Sequence, residues 1–150
     1  MDVMELRRGL MMAMASGADF VKGSFTAPST NTDGVINFGK AFTKYMFVIE
    51  ATEESKTSII NSGINANKAF AFCGVYPDFK INNSQISNYH NSFSVRINPS
   101  TNEVGQGTMP SSAITATTTS IAMPARAITQ NFANYLYGGL TYNYYIVEIK

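Results

Sequence analysis

Apolar residues recur along this chain with two different periods, and the change comes at Gly17. Over residues 2–15, Val3, Leu6, Leu10 and Ala13 are spaced three, four and three apart. That spacing puts them on one side of an α-helix, as in a coiled-coil seam. Met4, Met11 and Met14 form a second apolar stripe beside the first, and only Glu5, Arg7 and Arg8 are clearly polar. Asp2 can cap this helix and Gly17 can stop it. An isolated helix of this length is marginal in water, so it needs a surface to pack on: the chain's own sheet, sister copies or a larger assembly. The breadth of its apolar surface favours assembly, with Val3, Leu6, Leu10, Met11 and Met14 as docking residues.

Beyond Gly17 the period falls to two. Strands are expected over 20–27 (broken at Gly23), 35–38, 42–52, 68–76, 93–97, 114–122 and 140–149. Residues 42–52 are apolar on both faces, which marks a central strand, whereas Phe93, Val95 and Ile97 alternate with Ser94, Arg96 and Asn98. The Thr-rich 114–122 run suits a sheet edge. Residues 52–67 read as a loop with a helical turn, 104–110 as a weak strand and 124–139 as either loop or helical turn. Several short strands punctuated by turns give a mainly β protein: a short N-terminal α-helix, then an antiparallel β-sandwich. The organisation is a docking segment over 1–17 and one sandwich domain over 18–150.

Composition narrows the function. The chain has 150 residues, of which 14% are charged, against about a quarter in an average domain. Its polarity comes from Asn, Ser and Thr instead, as in many secreted, virion-surface and sugar-binding β-proteins. The net charge is +1, and the eleven basic residues are scattered apart from Arg7-Arg8, which excludes a phosphate-binding patch for nucleic acid. The N-terminus fails as a signal peptide because Asp2 and Glu5 interrupt its charged region. No apolar run is long enough for membrane insertion.

Reactive groups are sparse. One cysteine (Cys73) and one histidine (His90) cannot supply a usual zinc ligand set or an internal disulfide, and no cofactor loop is present. The carboxylates are dispersed; Glu50 with Asp78 is the one pair conceivable for glycoside cleavage. The expectation is a protein that is not an enzyme and holds no cofactor or metal. What remains is binding. The 77–92 loop, with Tyr76 at its edge, gathers Asn82, Asn83, Asn88, Tyr89, His90 and Asn91, where aromatic faces and amides suit a sugar. Solvation of a loop by Asn and Ser is the simpler reading of the same residues.

The order of segments resembles small accessory proteins of tailed bacteriophages and prophages. These open with a helix like Met4-Glu-Leu-Arg-Arg-Gly-Leu-Met-Met-Ala-Met14, followed by a strand like Val21-Lys-Gly-Ser-Phe-Thr26. The segments Val35-Ile-Asn-Phe38, 42–49, Phe93-Ser-Val95 and 144–149 are similar in outline to the H-type lectin sandwich. That family's terminal strand usually carries a Trp; this sequence has none, and no ligand residue is carried over. The resemblance implies a virion location, a homotrimer, and contact with other virion proteins and with a host surface. The function expected is a structural virion protein of a tail, baseplate, fibre or head appendage. The alternative is a lectin-like module for host glycans.

Overall fold

The computed structural model describes residues 3–29, 31–77, 92–109, 113–129 and 134–149. Its elements are α1 (Val3–Ala15), β1 (Phe20–Thr26), β2 (Asp33–Asn37), β3 (Tyr45–Ala51), α2 (Glu53–Ile60) and β4 (Lys68–Tyr76). They continue with β5 (Ser92–Asn98), β6 (Glu103–Thr108), β7 (Thr115–Ala116), β8 (Ser120–Arg126), β9 (Leu136–Tyr137) and β10 (Thr141–Glu148). One antiparallel sheet has the order β1-β10-β3-β4-β5-β6. The second has the order β2-β8-β7, and β9 runs parallel to β8 beside it. The protein is mainly β, a sandwich behind an N-terminal helix, as the periodicity predicts.

The core lies between the sheets. From the larger sheet come Tyr45, Phe47, Ile49, Phe72, Tyr142 and Ile146; from the smaller come Ile36, Ile121, Met123, Ala125, Leu136 and Tyr137. Aromatic rings dominate one end, where Tyr45 meets Phe38 edge-on with centroids 5.1 Å apart and stacks on Tyr76 at 5.0 Å. Buried hydroxyls need partners, and two of them tie the sheets together. The Tyr45 hydroxyl donates to the Thr117 carbonyl at 2.7 Å. The Tyr142 hydroxyl accepts from the Tyr137 backbone N–H at 2.9 Å. This second bond spans the turn through which the chain leaves β9 and enters β10, as tyrosines do at the corners of other sandwiches. Gly139 makes that turn with a φ of +82°, a conformation that side chains disfavour.

Three local expectations are corrected. First, residues 53–60 form a two-turn helix, more than the single helical turn expected within a loop. Thr52 caps it through its side chain, Glu53 and Glu54 complement the N-terminal dipole, and Ile59 is buried in the core. Second, the Thr-rich region is not one edge strand. Thr117 folds its hydroxyl back onto the backbone N–H groups of Thr119 and Ser120 and makes a turn. The strand that follows, β8, is central in its sheet and runs on through Pro124 to Arg126. Third, Gly23 does not break β1. It pairs with Tyr144, whose ring and hydroxyl occupy the space where a Cβ would stand, with Oη 2.6 Å from that point.

The outer face of the larger sheet has a different texture. Val48 on β3, Ala71 and Cys73 on β4, Val95 on β5 and Val147 on β10 make a floor of small side chains. α1 lies on that floor, against β3 and β10. Leu10 is buried there, with Ala13 and Met14 beside it. Leu10, placed on a docking seam by its spacing, therefore faces the chain's own sheet.

Candidate functional site

The helix-bearing face carries most of the groups that could act on something outside the chain. At its centre is Glu50, the last outward-facing position of β3 before α2. Its side chain is only 7% exposed and is held from two sides. Arg7 of α1 donates from Nη1 to Oε1 at 2.9 Å and to Oε2 at 3.3 Å. Lys56 of α2 donates to Oε2 at 2.8 Å and also to Glu53 at 3.1 Å. One buried carboxylate thus fastens both helices to the sheet. Burial alone would lower the pKa of Lys56, but its bonds to Glu50 and Glu53 outweigh that and hold it above the ordinary lysine range. An acid so clamped between two cations is an anchor, and Asp78, its conceivable partner in glycoside cleavage, lies outside the described residues.

Cys73 is buried on the same face, and burial, reinforced by the charge of Glu50, pushes its thiol up to about 12. It is a packing residue, not a nucleophile at neutral pH. In the inner core, burial likewise raises the hydroxyls of Tyr45, Tyr137 and Tyr142 above the usual tyrosine range. Lys68 is fully buried at the start of β4, with its ammonium 4.9 Å from the centre of the Tyr137 ring, and burial lowers its pKa.

Around the Glu50 anchor lie three surfaces. The outward side of α1 exposes Met4, Met11 and Met12, at 63%, 48% and 68%, with Arg8 among them. Beside α1 runs an open groove of about 380 Å³, lined by Leu10, Ala13, Met46, Val147 and Ile149, with Glu5 and Glu148 also on its walls and Gly9 at its lip. On the flank away from β4, Lys22, Ser24, Asn143 and Tyr145 surround a shallow depression of about 330 Å³ over β1 and β10.

The predicted docking residues divide. Leu10 packs inward, Met14 is half-buried against the same cluster, and Met11 is exposed. The side chains of Val3 and Leu6 lie outside the described residues, although both residues belong to α1. Met4, placed by its spacing on the second apolar stripe but not among the docking residues, and Met12, not named from the sequence, are exposed, which follows only from knowing which side of the helix meets the sheet. Of the predicted binding loop, Tyr76 is stacked on Tyr45 in the core wall. Asn82, Asn83, Asn88, Tyr89, His90 and Asn91 lie outside the described residues. Among the described residues no three His, Cys, Asp or Glu side chains cluster as metal ligands, and no helix is long and apolar enough to cross a membrane.

Comparison with protein-family models, curated protein sequences and solved structures returns no match for this chain.

Proposed function

We propose that this chain is a non-enzymatic structural module of a bacteriophage virion, joined to its neighbours through α1 and presenting polar sandwich surface to the host. The phage setting follows the resemblance in segment order. The assembly role rests on one observation: α1 already buries one side on its own sheet, yet its opposite side still exposes three methionines. A surface helix ordinarily turns charged or polar side chains to water. Methionine is flexible and polarizable, and suits a contact surface.

The occupant of this face is a second copy of the chain. The methionine face carries one guanidinium, Arg8, and the groove beside α1 carries two carboxylates, Glu5 and Glu148. Setting the face of one copy on the groove of the next joins apolar surfaces and brings unlike charges together. Face and groove are different surfaces, so the contact is head-to-tail, and a three-fold rotation between copies closes it as the trimeric ring proposed here.

Sedimentation equilibrium of the full chain tests this reading. The wild type is expected as a trimer at tens of micromolar, and the Met4→Gln/Met11→Gln/Met12→Gln variant as a folded monomer. Substitution is preferable to deleting the helix, because deletion would uncover Val48, Ala71 and Val147. A wild type that is monomeric at those concentrations sinks the proposal.

A further inference from the structure

We infer that the depression over β1 and β10 is a binding site for an acidic saccharide. The inference rests on the host-contact half of the proposed function, and it supplies a place and a ligand class for that contact.

Register builds the site. β1 and β10 pair antiparallel, with Lys22 opposite Tyr145 and Ser24 opposite Asn143. All four side chains stand on the outer face, since Val21 and Phe25, which flank Lys22 and Ser24 on β1, and Tyr142, Tyr144 and Ile146, which alternate with Asn143 and Tyr145 on β10, pack into the inner core. Neighbouring pairs on one face are about 7 Å apart along a strand and about 5 Å apart across it. The result is a rectangle the size of one hexose ring, sunk in a depression of about 330 Å³. Its corners are an ammonium, a hydroxyl, an amide and a phenol.

None of the four side chains makes a hydrogen bond or ion pair with another described residue. Asn143 and Tyr145 are half-buried, with their polar ends left to the depression rather than to a partner within the chain. The amide offers both a donor and an acceptor, and the Ser24 hydroxyl offers the same, which suits vicinal sugar hydroxyls. Tyr145 adds an aromatic body with a polar tip. Glu50, the next residue across from Asn143 on β3, has its charge balanced by Arg7 and Lys56. Lys22 is therefore the uncompensated charge at the depression, and it selects a carboxylate-bearing sugar over a neutral one. β1 is an edge strand of the sheet, so a chain of sugars can enter from the side.

Titrating the isotopically labelled full chain with oligogalacturonate, and in parallel with a neutral maltooligosaccharide of equal length, tests the site. Amide shifts are expected at residues 22–24 and 143–145 with the acidic ligand, and at least tenfold weaker binding with the neutral one. Lys22→Glu and Asn143→Ala are each expected to weaken binding tenfold or more; Lys22 is exposed, so its variant keeps the fold. Running the same titration on the triple methionine variant separates the two proposals, because binding there is unchanged whether or not the chain assembles. Shifts confined to residues 78–91, equal affinity for the neutral sugar, indifference to Lys22→Glu, or no shifts at millimolar ligand would each overturn the inference.

Discussion

The two faces of the six-stranded sheet are built from the same strands but on opposite plans. On the inner face, alternate residues of β3 are Tyr45, Phe47 and Ile49, and they meet rings and long aliphatics from the second sheet. On the outer face the intervening residues are Met46, Val48 and Glu50; they lie under α1, and Glu50 also binds Lys56 of α2. The inner face closes its polar groups within the core, Tyr45 onto Thr117 and Tyr142 onto Tyr137. The outer face leaves Lys22, Ser24, Asn143 and Tyr145 open to the outside. Stability is concentrated on one side of the sheet and the proposed binding surfaces lie on the other, and β3 and β10 serve both.

The largest contrast is expected from truncating neighbours on β3 that point opposite ways. Phe47→Ala on the inner face should cost about 4 kcal/mol of unfolding free energy, and Val48→Ala on the outer face about 2 kcal/mol. Urea denaturation reads both. Equal costs would mean that the helix layer packs as tightly as the aromatic core.

Much of this architecture was legible in the chain. The alternation at Phe93, Val95 and Ile97 located β5, and the doubly apolar run ending at Ala51 located the central strand β3. The missed elements share a cause: short range. α2 is eight residues with a single deeply inserted aliphatic, Ile59, so its period hardly registers. β8 straddles two readings: its start at 120–122 falls at the end of the expected 114–122 strand, whereas Pro124 opens a stretch that reads as loop or helical turn when the flanking strands are unknown. Two site features depend on contacts far apart in sequence. Period alone cannot say whether the seam at Leu10 meets the chain's own sheet or another copy. The polar rectangle joins residues 22–24 to residues 143–145, and only the β1–β10 register brings them together.

A smaller effect separates the faces by pH. The Cys73 thiol on the outer face ionises near 9.0 in the unfolded chain but is pushed up to about 12 in the fold. Between those values the folded state holds a proton that the unfolded state has lost. Its contribution is therefore full below pH 9 and falls as pH rises, by up to about 1.4 kcal/mol per unit. The inner-face hydroxyls of Tyr45, Tyr137 and Tyr142 are raised from 10.0, so their loss begins one unit later. Between pH 9 and 10, the stability of the wild type should fall more steeply than that of Cys73→Ala, by about 1 kcal/mol, and the excess slope should persist toward pH 12 while the tyrosines add a common fall to both above pH 10. Parallel curves from pH 9 onward would place the thiol in contact with water.

The division of α1 into a side that belongs to its own sheet and a side left for a partner is most directly tested by a double-mutant cycle. Arg7→Met and Glu50→Gln, singly and together, would be introduced into the triple methionine variant, and unfolding followed at several protein concentrations. A coupling of about 1 kcal/mol between Arg7 and Glu50, independent of concentration, is the expected result for a helix docked within one chain. A coupling indistinguishable from zero, or one that grows with concentration, would mean that the helix packs elsewhere.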